Sequence, residues 1–97
     1  MVKKVKLGQE VYTIYHDCIL KEVVYAIGDG FFIPEYFQDK YDDAQIIYFE
    51  DTYSTFEKVE KAFRKKFKEY CRYYDLKYSS FQLKETIKGQ WEYIEVE

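Results

Sequence analysis

Short apolar runs separated by turn residues fill the first half of the chain and predict β-strands. The runs are EVYTIY (10–15), ILKEVVYAI (19–27), FFI (31–33) and QIIYF (45–49), and all are rich in β-branched or aromatic residues. The dipeptide HD (16–17), the tripeptide GDG (28–30) and Pro34 interrupt them, and glycine supplies the positive φ angles that tight turns need. Strands this short and closely spaced predict an antiparallel meander that closes into a barrel.

The second half opens with a different period, which predicts a helix from about residue 55 to residue 73. Ser54 is followed three residues later by Glu57, which matches a capping box at the helix N-terminus. Apolar residues then recur at intervals of three and four: Phe56, Val59, Phe63, Phe67, Tyr70 and Tyr74. Two further runs, YSSFQLKETI and QWEYIEV, flank Lys88 and Gly89 and predict a closing hairpin.

These elements together predict one α+β domain that covers residues 1–97. We expect a small antiparallel β-barrel or strongly bent sheet of five or six strands, with one long amphipathic helix packed across an open side. A chain of 97 residues has room for one hydrophobic core and little else.

The first two-thirds of the chain resembles small Src-homology-3-like β-barrel proteins of phages and mobile elements of Gram-positive bacteria. The likeness rests on Gly8, Val11, Tyr12, Ile19, Val23, Phe49, Glu50, Phe56 and Glu57. The shared pattern is structural and contains no catalytic signature, while the helix is longer and more basic here. The resemblance implies a phage or mobile-element protein that binds a host protein. An inhibitor of a bacterial defence nuclease is one specific form of that expectation.

Charge is distributed unevenly along the chain, and this bears on the choice of partner. The net charge is −3, but residues 29–51 carry −6 and residues 56–72 carry +4. The acidic segment also contains several of the 12 tyrosines. Exposed tyrosines are enriched at protein interfaces because they offer a large contact area with few rotamers to immobilise.

We therefore predict a protein-binding surface in the acidic, tyrosine-rich stretch from residue 34 to residue 53. Its residues are Glu35, Tyr36, Asp39, Tyr41, Asp42, Asp43, Asp51 and Tyr53. Such a surface would oppose a basic region of a partner, including the nucleic-acid groove of another protein. The alternative is a solubilising loop whose aromatic residues cap one end of the barrel.

The outward face of the helix gives the alternative function, a nucleic-acid-binding module. Lys58, Lys61, Lys65, Lys68 and Arg72 project away from the apolar residues. Cations on one face could follow a phosphate backbone. Lysine and arginine also suit the solvated face of any helix, and an acidic protein partner would fit them as well. A protein partner for the acidic segment remains the first expectation, and self-association stays open.

Nothing in the sequence indicates an enzyme, a metal site or a cofactor. His16, Asp17 and Cys18 are adjacent, and alternate side chains of an extended run point to opposite faces, so they converge poorly on one ion. Phosphate-binding and nucleophile-elbow motifs are absent from the sequence. There is no signal peptide and no run of about 18 apolar residues, so we expect a cytoplasmic protein without membrane contact. Cys18 and Cys71 are then expected as free thiols.

Overall fold

The protein is built from seven strands and one long helix within residues 2–35 and 46–96, the part that the computed structural model describes. The elements are β1 (Glu10–Tyr15), β2 (Cys18–Ile27), β3 (Phe31–Pro34), β4 (Ile47–Tyr48), β5 (Thr52–Tyr53), α1 (Phe56–Tyr73), β6 (Phe81–Ile87) and β7 (Gln90–Glu95). Two 3-10 turns, Phe49–Asp51 and Tyr78–Ser80, precede β5 and β6.

The ten-residue strand β2 is the centre of a curled antiparallel sheet. The first six residues of β2, from Cys18 to Val23, pair with β1, from Tyr15↔Cys18 to Glu10↔Val23. On its other side it pairs first with β7, through Ile19↔Trp91, and then with β3, through Ile27↔Phe32. Strands β4 and β5 extend the sheet at β3 and β1. The result is a half-barrel with one helix, which confirms the predicted α+β fold class.

Two hydrophobic clusters form the core, and the pairing register assigns them to opposite faces of the β1–β2 hairpin. Directly paired residues of antiparallel strands share a face, and neighbours in sequence alternate. One cluster contains Val5, Val11, Val24, Phe32 and Ile47. The other contains Ile19 with Val59 and Phe63 of the helix, against which Tyr12, Ile14, Leu83, Trp91 and Tyr93 pack. The helix therefore covers the face that carries Tyr12, Ile14 and Ile19.

The N-terminus of α1 differs from the sequence prediction by one residue. Thr55, not Ser54, is the N-cap, and its hydroxyl accepts a hydrogen bond from the Lys58 backbone N–H at 3.2 Å. Both residue types are good caps, so local preference does not choose between them. The choice follows from packing, because the Phe56 ring lies against Trp91 and Tyr12, with centroids 4.9 and 5.7 Å apart.

The strand predicted for residues 45–49 is shorter in the structure. Residue 45 lies outside the described ranges, and β4 contains Ile47 and Tyr48 before the chain enters a 3-10 turn. The Thr52 hydroxyl donates to the Tyr48 carbonyl at 2.8 Å, which closes this turn. The strands β1, β2, β3, β6 and β7 and the hairpin at Lys88–Gly89 lie where the apolar runs predicted them, whereas the two-residue strand β5 was not predicted. Gly30 and Gly89 adopt φ angles of 84° and 81°.

A run of stacked aromatic rings joins α1 to the β6–β7 hairpin and accounts for much of the aromatic content. Phe67 stacks on Tyr93 with centroids 4.1 Å apart and meets Phe81 edge-on at 5.0 Å. Burial and the neighbouring Tyr78 hydroxyl raise the pKa of Tyr93 well above its usual range. The predicted apolar stripe is buried only as far as this contact, because Tyr70 and Tyr74 are about half exposed.

Candidate functional site

An open hollow lies along the face of the β1–β2 hairpin that carries Thr13 and Glu22, and its edge reaches Ile14 and Lys66 on the helix side. Register places Val11 opposite Glu22 and Thr13 opposite Leu20 on this face. The hollow has a volume of about 360 Å³. We call it the Glu22 hollow, and its principal lining residues are Thr13, Tyr15, Leu20, Glu22, Ile47, Tyr48, Asp51 and Tyr53.

Glu22 is the unusual residue of this hollow, because it is a carboxylate in the middle of the sheet. Only 7% of the residue is exposed, and its neighbours along the same face of β2 are Leu20 and Val24. Within residues 2–35 and 46–96, Glu22 makes no side-chain hydrogen bond and no ion pair. Burial raises the pKa of its carboxyl group from the usual 4.5 to about 7. Burial disfavours the ionised form of this carboxyl group, so the site favours either a proton or a cation.

The rim of the hollow combines aromatic rings with negative charge. Tyr15 and Tyr48 are about half exposed, Asp51 is exposed, and Tyr53 is half-buried. Tyr53 also packs against the cluster of Ile19, Val59 and Phe63, so its ring is held by the core. The cation Lys66 of α1 borders the hollow as well, but it lies beyond salt-bridge distance of Glu22.

Three residues of the predicted protein-binding surface lie within the described ranges. Asp51 and Tyr53 meet at the Glu22 hollow, whereas Glu35 is exposed at the end of β3. The other five, Tyr36, Asp39, Tyr41, Asp42 and Asp43, lie outside the described residues. The carboxylates Glu50 and Asp29 are also exposed.

Sequence reasoning missed Glu22, Thr13, Tyr15, Leu20 and Tyr48 as members of a site. A signal for Glu22 was present in the run ILKEVVYAI, where Leu20, Glu22 and Val24 alternate onto one face. An acidic residue at an inward position of a strand is a departure from binary patterning. Tyr48 gave no such signal, because its place at the hollow depends on how β4 pairs with β3.

The basic face of α1 has the exposure that the sequence predicted. Lys58, Lys61, Lys65, Lys68 and Arg72 are all exposed. Four of them border one shallow groove along the helix, together with Arg64 and Ala62. Arg64 pairs with Glu60 at 3.1 Å, and the Lys68 ammonium lies 5.0 Å from the centre of the Tyr78 ring.

A second hollow adjoins the Glu22 hollow and contains the HDC tripeptide. Tyr15, Leu20 and Glu22 line both hollows, and the second continues to the hairpin turn at Lys88 and Gly89. The turn residue His16 has a positive φ of 53°, and the Cys18 thiol donates to the Tyr15 carbonyl at 3.3 Å. Glu92 accepts hydrogen bonds from Thr86 and Gln90, so its carboxylate is already partnered. Within the described ranges, no three His, Cys, Asp or Glu side chains are grouped to hold a metal ion.

The two thiols should differ in reactivity towards an alkylating reagent. Both are free, and Cys71 is 2% exposed whereas Cys18 is half-buried. Burial raises the pKa of each thiol, and for Cys18 the carboxylates of Glu92, Asp17 and Glu22 raise it further. We expect Cys18 to react faster than Cys71 and more slowly than free cysteine, because the thiolate is the reactive form.

Iodoacetamide labelling followed by peptide mass spectrometry measures both rates. The Cys18→Ser variant should retain only the slow phase. Equal rates at the two positions, or an intact mass that shows a Cys18–Cys71 bridge, would contradict this assignment.

No helix within the described ranges is both long enough and apolar enough to cross a membrane. Comparisons of the chain with protein-family models, with curated proteins and with solved structures found no match in any of the three.

Proposed function

We propose that this protein binds a protein partner through the acidic, tyrosine-bearing rim of the Glu22 hollow and has no catalytic activity. The observation that carries the proposal is that Tyr15, Tyr48, Asp51 and Tyr53 line one concave surface together with the buried residue Glu22. Tyrosine rings supply contact area, and carboxylates attract a basic surface and speed encounter with it.

The chemistry of the rim favours a partner with a basic concave or protruding surface. Glu35, Glu50 and Asp51 are exposed carboxylates, and Asp51 lines the Glu22 hollow. Nucleic-acid-processing enzymes carry basic grooves, and a negatively charged protein that occupies such a groove excludes the nucleic acid. The resemblance to phage proteins makes a defence nuclease of the bacterial host the first partner class to test, in the host cytoplasm.

Affinity capture with matched variants tests this proposal. We expect wild-type protein to retain one defined partner that resists nuclease treatment of the eluate. The double variant Tyr48→Ala and Asp51→Lys should lose that partner, because it removes an exposed ring and reverses a rim charge. The triple variant Lys61→Glu, Lys65→Glu and Lys68→Glu should keep it. Loss of the partner only in the triple variant would overturn the proposal.

A second candidate function, nucleic-acid binding, is favoured by the exposed groove of Lys58, Lys61, Lys65 and Lys68. With about five phosphate contacts, log K would fall with log salt at a slope near −4.5. We expect instead weak, non-specific binding with a Kd no tighter than about 10⁻⁵ M near physiological salt. The net charge of −3 opposes a polyanion, and the Debye length of about 8 Å lets nearby carboxylates contribute.

Fluorescence anisotropy with labelled duplex DNA at several salt concentrations measures the slope. Tight and steeply salt-dependent binding that the Lys61, Lys65 and Lys68 reversal abolishes would make this the better function.

A further inference from the structure

We propose that the Glu22 hollow is an arginine-binding site, in which the guanidinium of a partner's arginine pairs with the Glu22 carboxylate. This inference rests on the proposed function and names the chemistry of its central contact. It starts from one fact that the fold does not explain. The half-barrel holds a carboxylate at a position where Leu20 and Val24 show that an apolar residue would pack.

The hollow selects among ligand classes by charge. An anion would be repelled by Glu22 and by Asp51 at the rim. A purely apolar ligand would cover Glu22 and leave its carboxylate unpaired in a region of low dielectric, which is costly. A cationic ligand would pair with the Glu22 carboxylate, and the attraction between the two charges is stronger where water is displaced.

The walls of the hollow suit the rest of an arginine side chain. Leu20 and Ile47 offer apolar surface to the methylene groups, and Thr13, which also lines the hollow, carries a hydroxyl that can accept a further hydrogen bond. Tyr15, Tyr48 and Tyr53 line the same hollow, and a planar guanidinium can stack on an aromatic ring. A guanidinium also loses its hydration more readily than an ammonium and matches a carboxylate with two parallel hydrogen bonds. Arginine therefore fits this hollow better than lysine.

The charges around Glu22 come from several elements and bear on any pH effect. Asp51 and Lys66 border the Glu22 hollow. His16, Asp17, Lys21, Lys88 and Glu92 border the adjoining hollow, which shares Glu22. Lys66 carries the same charge as the proposed ligand, so Lys66→Gln should strengthen binding modestly. His16→Gln serves as the control for the one histidine of the sequence.

The test uses N-acetyl-arginine amide as the probe and N-acetyl-citrulline amide as its neutral isostere. Titration at pH 8, followed by two-dimensional NMR of backbone amides, should show shifts concentrated at Thr13, Leu20, Glu22 and Tyr48. We expect the arginine probe to bind at least tenfold more tightly than the citrulline probe. Equal affinities would overturn the proposal, because they would show that charge plays no part.

The pH dependence tests the role of Glu22 without any substitution. The carboxyl pKa of about 7 leaves about 90% of Glu22 ionised at pH 8 and about 10% at pH 6. The arginine probe should therefore bind about tenfold more weakly at pH 6, in wild-type protein and in His16→Gln alike. A pH-independent affinity in wild-type protein would contradict the assignment.

Two variants complete the experiment. Glu22→Gln should bind the arginine probe no better than the citrulline probe, and its affinity should not change between pH 6 and pH 8. Glu92→Gln, in the adjoining hollow, should bind as wild type does. An unchanged affinity in Glu22→Gln would overturn the proposal. The probe is a small molecule, so its failure to bind would refute the arginine site without bearing on capture of a protein partner at the rim. Loss of partner capture with intact probe binding would refute only the proposed function.

Discussion

Replacing Phe63 by alanine should lower the free energy of unfolding by about 3–5 kcal/mol, the usual loss for a buried phenylalanine. The side chain is 4% exposed and packs with Ile19 and Val59 between the helix and the sheet. Its ring also stacks on Tyr93, with centroids 5.5 Å apart. A domain of this size has about 5–15 kcal/mol of stability in total, so the variant should be close to unfolding. Urea denaturation monitored by circular dichroism measures the change.

Lys65→Ala is the matched control on the opposite side of the same helix. Lys65 is exposed, and substitutions of this kind usually change stability by less than about 0.5 kcal/mol. If both variants lost similar stability, the buried face of α1 would have been assigned wrongly. Phe67→Ala should also destabilise, since its ring stacks on Tyr93 and meets Phe81 edge-on, although it is less buried than Phe63.

Glu22→Gln should stabilise the protein at pH 8, by up to about 3 kcal/mol. Burial raises the Glu22 pKa from 4.5 to about 7, which means that the folded state disfavours the ionised form. A tenfold change in a protonation equilibrium corresponds to about 1.4 kcal/mol, so a shift of this size amounts to about 3 kcal/mol. Glutamine has nearly the same shape and carries no charge, so it avoids this penalty.

The sign of the effect follows from proton binding. Between about pH 4.5 and pH 7 the folded protein holds a proton on Glu22 that the unfolded chain releases, so wild-type stability falls as pH rises through this range. Above about pH 7 the full penalty is present, and below about pH 4.5 it disappears. The difference in unfolding free energy between Glu22→Gln and wild type should therefore grow from near zero at pH 4.5 to its maximum above pH 7.

Measuring that difference by urea denaturation across this range cancels the titration of groups that both proteins share. The exposed Glu95→Gln variant is the control and should differ from wild type by a small, pH-independent amount. A Glu22→Gln variant less stable than wild type at pH 8 would show that the carboxylate is stabilised by a partner within the folded protein.

Local patterning predicted most of the fold because the elements themselves obey it. The β-branched and aromatic residues of EVYTIY and ILKEVVYAI predicted β1 and β2, and apolar intervals of three and four predicted α1. Periodicity fixes the direction of a helix face but not how far the opposing sheet extends. Tyr70 and Tyr74 therefore continue the pattern while remaining about half exposed. The N-cap was misplaced by one residue for a similar reason, since contacts of Phe56 decide where α1 begins.

The candidate site was predicted only in part, because it depends on pairing across distant segments. Composition identified Asp51 and Tyr53, which belong to an acidic and tyrosine-rich stretch. Glu22 was overlooked, since a charged residue in a strand is usually on the solvated face. Its spacing from Leu20 and Val24 was the available signal, and the register with Val11 shows which face it shares. Thr13 and Leu20 follow from that same register, and Tyr48 requires the pairing of β4 with β3.

Site-specific photo-crosslinking tests most directly whether the rim of the Glu22 hollow is the partner-binding surface. Tyr48 at the rim and Tyr73 at the end of α1 are both exposed tyrosines, at 54% and 81%, so each can be replaced by p-benzoylphenylalanine with little effect on the core. Irradiation in the presence of the captured partner should give a nuclease-resistant protein adduct from position 48, which Asp51→Lys abolishes, and none from position 73. An adduct from position 73 alone, or one that nuclease removes, would contradict the account.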